Sequence, residues 1–318
     1  MINSKVIGHG HYLPLKILKN DDFKQFIDTS DEWIFSRTGI KQRHIAQKSE
    51  MTSNLAIKAS EMAIKSANIK ASELDFIIVA TTTPDNTFPS TATKIQKFFE
   101  ISNIPSFDLQ AVCSGFIYSL QVADSLIKSG NAEKVLVVGA ETLSKIVDWT
   151  DRRTCVLFGD GAGALILEAT NEHKGILSSK LFSDGTWHKS LYADGGPSEN
   201  QKVGKIRMNG QDIFKQAVNK LSESTQICLK KCNLKIDEVD WFIPHQANQR
   251  IISSTAKKIG ISENKTISTV MYHANTSAAS IPLALSTSIE NGQIQKGDIL
   301  AMCAIGGGLT WGSCILKL

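Results

Sequence analysis

A chain of 318 residues is longer than a typical single core, which predicts two domains or one domain built from two similar halves. Its 42% apolar and 21% charged residues are those of an ordinary globular protein. Its net charge of +4 is far below the density of a nucleic-acid binder, so an acidic small molecule or acidic protein fits better as partner. Six cysteines without a CxxC pair argue against a zinc site or a disulfide framework and read as reduced thiols.

The start, MINSKVIGHGHYLP, lacks the apolar core and cleavage site of a leader and reads as a first strand. An amphipathic helix follows, with Leu55, Ala59, Met62 and Ala63 on one face behind the candidate N-caps Thr52 and Ser53. It leads to a short apolar strand, Phe76 to Ala80, of the buried parallel kind. Cys113 to Gly130 reads as a helix with small residues at its start and a terminal glycine, and Val135 to Val138 as the next strand. FGDGAGA then enters a strand, Ala164 to Glu168, its glycines predicting a tight turn and close backbone packing.

The second half runs through similar elements. Phe214, Ala217, Val218, Leu221 and Cys228 share a helix face before the strand Trp241 to Pro244. After His245 comes a helix with Arg250, Ser254, Lys257 and Lys258 on one side, a basic stripe. Asn275 to Gly292 is a further helix, Ile299 to Ala304 a strand, and Gly306, Gly307 and Gly308 a flexible loop before the last strand. No apolar run of about 18 residues occurs, so no membrane helix is expected and a cytoplasmic location follows by default.

These parallels amount to an internal repeat. NIKASELDFIIVAT from Asn68 lies over NLKIDEVDWFIPHQ from Asn233 without a gap, at an offset of 165 residues. Cys113 to Gly130 and Asn275 to Gly292 have equal length, which pairs Cys113 with Asn275. The expectation is a duplicated, layered α/β fold with mostly parallel sheets and halves at 1–172 and 173–318. Pseudo-symmetry then brings Cys113, Asn275 and His245 to one sheet edge, where open α/β sheets place their ligands.

Those three residue types suit acyl transfer. A cysteine at a helix N-terminus is biased toward the thiolate that attacks a thioester. The SGF after Cys113 leaves space for an acyl group, and a backbone N–H of the glycine loop can join that of Cys113 as an oxyanion hole. A neutral histidine N–H with an asparagine N–H can stabilise the enolate formed when a malonyl thioester loses CO2. Singly, each residue is as well explained by packing or capping; their convergence carries the reading.

The segments TSDEWIFSRTGIKQRHIA, ATTTPDNTFPS, AVCSGF, GDGAGALILE, IPHQANQRI, NTSAASIP and GGGLTWGS, in this order and spacing, resemble those of the β-ketoacyl-acyl-carrier-protein synthase III family over essentially the whole chain. The resemblance implies a thiolase-like, five-layered αβαβα fold and a ping-pong reaction of acetyl-CoA or a short acyl-CoA with malonyl-acyl-carrier protein (malonyl-ACP), needing no metal or other cofactor. By it Cys113 is the acylated nucleophile, His245 and Asn275 the decarboxylation pair, and the N–H groups of Cys113 and Gly307 the oxyanion hole. Trp33 and Arg152 resemble the pair holding the CoA adenine, Arg37 a phosphate contact, and Thr29, Gly210 and Asn248 pantetheine contacts. Lys215, Gln246, Ala247, Asn248, Gln249, Arg250, Lys257 and Lys258 would face the acidic ACP. Phe88 resembles the residue that closes the acyl pocket of the partner in a homodimer. Two departures stand out: Ala274 replaces the family's usual glycine before the catalytic asparagine, and Arg153 stands where relatives have a smaller residue.

Three other readings compete. A cysteine hydrolase also uses Cys, His and Asn, but the duplicated α/β pattern argues against it. FGDGAGA lacks the GxGxxG spacing of a nucleotide-dependent oxidoreductase and opens a strand rather than a helix. A non-catalytic scaffold would be expected to have lost one of the three reactive residues.

Overall fold

The computed structural model describes residues 2–318 as an alternation of helix and strand. The chain runs β1 (Asn3–Tyr12), β2 (Lys16–Lys19), α1 (Asp31–Thr38), β3 (Gln42–Ile45), α2 (Thr52–Ala67), β4 (Phe76–Ala80), α3 (Thr91–Phe98), β5 (Ser106–Leu109), α4 (Gly115–Lys128), β6 (Lys134–Thr142) and β7 (Asp160–Thr170). It continues through β8 (Gly175–Ser183), β9 (Leu191–Ala193), β10 (Ile206–Met208), α5 (Gly210–Lys231), β11 (Trp241–Pro244), α6 (Gln249–Ile259), α7 (Val270–His273), α8 (Ser280–Glu290), β12 (Ile299–Gly306) and β13 (Thr310–Lys317).

Two sheets, ordered β1-β7-β6-β4-β5 and β11-β12-β13-β8, carry the architecture. Side-chain alternation along single strands shows what covers each face. In β6, Val135 and Val137 join a core with Phe116 and Leu120 of α4, Ile281 and Leu285 of α8, and Leu300 and Met302 of β12. Leu136 and Val138 point the other way, onto Leu55, Ala59 and Ala63 of α2. In β12, Ala301 and Cys303 face Ala217 and Leu221 of α5. The layers are therefore α2/α3, sheet, α4/α8, sheet, α5/α6.

Several expectations need correction. The sheets are mixed: β5-β4-β6 and β11-β12 are parallel, but β1, β7, β13 and β8 pair antiparallel. A three-residue turn at 307–309 folds β13 straight back onto β12, which no crossover helix separates. Thr52 and Ser53 are helical residues, not caps. Their hydroxyls go to Thr83 O at 2.5 Å and Asp85 at 2.5 Å, while Asn54 Oδ1 accepts the Met51 N–H at 2.8 Å. Gly161 and Gly163 lie inside β7 rather than in a turn. A Cβ on Gly163 would come 2.6 Å from the Leu283 nitrogen, so α8 sits on the bare strand backbone.

The pairing of Cys113 with Asn275 is out of register. Phe76 pairs with Val135, and Trp241 with Leu300, both 165 positions on. α4 and α8 begin at 115 and 280, again 165 apart, and Val112 and Ser277 share a left-handed φ of 49°. The structural counterpart of Cys113 is Ala278; Asn275 lies three residues earlier, and the equal helix lengths were a false guide.

Candidate active site

The turn that carries Cys113 is a short 3-10 helix, Val112–Ser114, ahead of α4. Thr310 pins it at the start of β13: its hydroxyl donates to Ala111 O at 2.9 Å and accepts from Ser114 Oγ at 2.8 Å. Gly306 lets β12 approach, since a Cβ there would lie 2.7 Å from the Cys113 nitrogen. Gly307 is the next residue along, in the turn. Among the described residues its N–H has no acceptor, the state an oxyanion donor requires.

His245 follows β11, its N–H donating to Cys303 O at 2.8 Å. Its Nδ1 is 2.7 Å from Ser280 Oγ, and that oxygen also accepts the Gln246 N–H at 3.3 Å. Among the described residues Nδ1 is the one acceptor within reach of the Ser280 hydroxyl proton; with that proton given to Nδ1, the ring carries its own on Nε2. Burial pushes the imidazole down to about 3, so the ring is a neutral N–H donor at ordinary pH.

Asn275 is clamped by its backbone. Its N–H donates to Leu157 O and its carbonyl accepts the Gly159 N–H, each at 3.0 Å, and its Oδ1 accepts the Ser277 N–H at 2.9 Å. That clamp forces Ala274 to φ 58° and ψ −162°, territory nearly exclusive to glycine. The departure seen in the sequence is thus a strained alanine. Relieving roughly 1–3 kcal/mol of strain offsets the roughly 0.8 kcal/mol of a buried methyl and the roughly 0.5–1 kcal/mol of glycine entropy. Ala274→Gly is therefore expected to leave stability within about 1 kcal/mol of the parent. In a denaturant melt, Ala59→Gly, buried in the middle of α2, should instead lose about 2 kcal/mol.

Cys113, His245 and Asn275 thus meet at one short segment, Asn275–Ser280. Ser280 holds the imidazole, Asn275 opens the segment, and Ala278 packs on the start of α4 beside Cys113, 3.6 Å from where a Cβ on Gly115 would lie. All three reactive residues are 3–6% exposed. The helix-end thiolate bias is not what burial leaves: desolvation pushes the Cys113 thiol up to about 12, Ser277 lowering it and the Glu141 charge raising it. Burial thus favours the neutral thiol. Nor does SGF leave an acyl space, because a Cβ on Gly115 would lie 3.1 Å from Ala80 Cβ and 3.6 Å from Ala278 Cβ, and Phe116 is core.

The outer residues divide. Trp33, half-buried on α1, has the Arg37 and Arg152 guanidinium carbons each 4.5 Å from its ring centroid. Arg152 also donates to Asp28 O at 2.9 Å, which holds the guanidinium over the ring. Thr29 is half-buried with its hydroxyl unpartnered, and Gly210 is exposed at the start of α5. Arg153 is exposed and paired with Asp151 at 2.9 Å. Asn248 caps α6 and donates to Arg37 O at 2.9 Å, which ties α6 to α1.

Gln246 is not a surface contact. It is fully buried, donating to Pro244 O at 2.6 Å and accepting from the Thr269 N–H at 2.7 Å. Gln249 and Ala247 are half-buried, Gln249 accepting from Ser268 at 2.6 Å. The exposed basic face consists of Lys215, Arg250, Lys257 and Lys258, with Arg250 over the Phe214 ring and Lys258 bonded to Asn219. Phe88 is 83% exposed on the loop between β4 and α3. No cluster of metal-ligating side chains occurs among the described residues.

Sequence reading missed Ser277, Ser280, Glu141 and Arg43, and put Gly306 in the loop where the structure has it as the last residue of β12. Arg43 is fully buried, donates to Val156 O at 2.8 Å and Asn20 Oδ1 at 2.9 Å, and so binds the loop bearing Arg152 to the β2–β3 strand pair. Only contacts distant in sequence reveal such residues.

Comparison with known proteins now bears on this site. Residues 107–185 match the model of 3-oxoacyl-[acyl-carrier-protein (ACP)] synthase III and residues 229–318 that of its C-terminal part. The beta-ketoacyl-[acyl-carrier-protein] synthase III of Rickettsia bellii is 53% identical over 98% of this chain and 99% of its own length. That of Brucella melitensis is 50% identical over the full length of both. The crystal structure of 3-oxoacyl-[acyl-carrier-protein] synthase III from Aquifex aeolicus superposes with a TM-score of 0.95 at 46% identity, over 99% of this chain and all of that one.

Proposed function

This chain belongs to the 3-oxoacyl-[acyl-carrier-protein] synthase III family, and we propose that Cys113 is its acyl-accepting nucleophile, with His245 and Asn275 stabilising the enolate. The enzyme is an acyltransferase of thiolase-like fold. It initiates fatty-acid synthesis by condensing acetyl-CoA or another short acyl-CoA with malonyl-ACP to acetoacetyl-ACP, CoA and CO2.

The observation that carries the residue assignment is the convergence of all three groups on residues 275–280: His245 through Ser280, Asn275 itself, and the Cys113 turn through the packing of Gly115 on Ala278. Acyl-CoA loads Cys113, with the oxyanion held by the Cys113 and Gly307 N–H groups. After CoA leaves, malonyl-ACP enters and loses CO2, and its enolate oxygen takes hydrogen bonds from His245 Nε2–H and the Asn275 amide. The enolate carbon attacks the acyl-cysteine, and the thiol is regenerated. No metal or redox cofactor enters this scheme. Incubation with acetyl-CoA and malonyl-ACP tests it: a β-ketoacyl product is expected, whereas free acetate without condensation would favour a hydrolase.

Further parts of the reading are proposals of the same kind. Residues 1–172 would supply the nucleophile and 173–318 the His/Asn pair. Trp33, Arg37 and Arg152 would hold the CoA nucleotide, with Thr29, Gly210 and Asn248 along the pantetheine. The exposed Phe88, with β5 an open sheet edge, supports a homodimer through that side. Six free thiols support a reducing, cytoplasmic setting.

The basic face on α5 and α6 is proposed to receive the acidic carrier protein. Reversing Arg250 and Lys257 to glutamate together is expected to raise KM for malonyl-ACP about tenfold or more, more so at low salt. Acyl loading from acetyl-CoA, followed separately by CoA release, should change less than twofold on the scale of a lost rim charge.

A further inference from the structure

Trp33 and Arg152 meet from different segments, Trp33 on α1 and Arg152 on the loop between β6 and β7, with the Arg152 guanidinium carbon 4.5 Å from the indole centroid. At the surface an exposed bond from Arg152 to Asp28 O, 2.9 Å long, links the two segments. Beneath it runs a buried path. The Arg43 guanidinium of β3 donates to Val156 O of the loop at 2.8 Å and to Asn20 Oδ1 at 2.9 Å. The Asn20 amide in turn donates to Asp31 Oδ1, on the first residue of α1, at 2.8 Å and to Ile40 O, just past the end of α1, at 2.7 Å. Asn20 therefore grips both ends of the helix that carries Trp33 and Arg37, and Arg43 ties that grip to the loop.

Arg43 is fully buried, and each of its hydrogen bonds goes to an uncharged acceptor, the third being Leu18 O at 3.2 Å. Its Nε has no partner among the described residues, and its guanidinium carbon lies 4.5 Å from the Phe23 ring centroid. Burial pulls the guanidinium down to about 10, which leaves it charged at neutral pH. A buried cation bonded to neutral groups costs stability, and an apolar side chain of similar volume would fill such a core at least as well. What the guanidinium adds is geometry: a rigid planar fork that pins β2, Asn20 and the loop at set spacings. Asn20, 1% exposed, is equally committed, turning its oxygen to the cation and its nitrogen to α1, an orientation that an aspartate cannot reproduce. Trp33 and Val156 also pack on one apolar cluster with Phe23 and Ile34, so a shift along this path moves the indole.

We propose that Arg43 and Asn20 are positioning residues that fix the Trp33 ring against the Arg152 guanidinium, and that this fixed pair makes the enzyme prefer an acyl donor carrying an adenine nucleotide over the same acyl group on bare pantetheine. The inference rests on the reading of Trp33, Arg37 and Arg152 as the CoA nucleotide site. A nucleotide remote from the thioester contributes its full binding energy only where the groups that grip it are already in place, because ordering them on arrival cancels part of the gain. Malonyl-ACP brings no adenine, so the pair matters to acyl loading and not to condensation.

The test compares acyl loading of Cys113 from acetyl-CoA and from acetyl-pantetheine, read as first-turnover thiol release over a range of donor concentrations. The parent protein is expected to favour acetyl-CoA by about tenfold or more at low donor concentration, and Trp33→Ala to lose most of that preference. Arg43→Lys keeps the charge without the fork, and Asn20→Asp keeps the shape without the donors. Each should cut the preference about fivefold or more, by raising the acetyl-CoA concentration at half-maximal rate with the maximal rate little changed. Loading from acetyl-pantetheine should stay within about twofold, since that donor does not reach the nucleotide site, and it also shows that each variant has folded. A parent without the preference, or a Trp33→Ala protein that keeps it, overturns the nucleotide reading and the inference with it. If Trp33→Ala loses the preference while Arg43→Lys and Asn20→Asp keep it, the inference alone fails. It fails equally if neither of those two variants loads from acetyl-pantetheine, because the buried pair then serves the fold as a whole.

Discussion

Cys113→Ala is expected to abolish both acyl loading and β-ketoacyl product formation, a fall of roughly 10⁶-fold, the scale on which a covalent nucleophile matters. No neighbouring group can substitute. The remaining cysteines face other environments: Cys228, Cys303 and Cys314 are fully buried in cores, and burial raises Cys303, like Cys113, to about 12. What distinguishes Cys113 is its company, a turn beside the unpartnered Gly307 N–H and packed on the segment that bears Asn275 and Ser280. Because His245 and Asn275 stay in place, the variant should still release CO2 from malonyl-ACP. Product analysis with labelled malonyl-ACP checks both halves, and a Cys113→Ala protein that still condenses would exclude a covalent route.

His245→Ala separates the two half-reactions. Acyl loading uses the thiol and oxyanion donors and should stay within about threefold, while condensation should fall about 10²–10³-fold, the cost of one removed donor to a developing oxyanion. Single-turnover measurements on protein already carrying the acyl group read the second step alone. The pH dependence adds a sign. A ring lowered to about 3 from 6.5 stays neutral as pH falls through 6, so condensation should show no imidazole limb near 6.5. The same depression means that the folded state loses stability as pH falls below 6.5 toward 3, because the unfolded chain binds that proton first.

How far these groups were legible beforehand depended on the range of the forces involved. Strands such as Phe76–Ala80 and Trp241–Pro244 follow from local apolar runs, and the structure has them at those bounds. The positive φ at Ala274 was readable as a consequence of replacing glycine. Register was not: helix lengths matched Cys113 to Asn275, whereas hydrogen bonding between strands puts Ala278 there. Gln246 looked like surface because glutamine usually is, but Thr269, Pro244 and Ile267 satisfy its amide inside. The helix end suggested a thiolate, and desolvation outweighs it. Ser277, whose N–H holds Asn275 Oδ1, and Ser280, which holds His245, take their places through contacts made by folding, which no local motif announces.

The most direct measurement is mass analysis of peptides from the protein after incubation with acetyl-CoA alone. One acetyl group on the peptide bearing Cys113, removed by later addition of malonyl-ACP, is the predicted result. An unmodified Cys113 with every short acyl-CoA offered, while product still forms, would contradict the account.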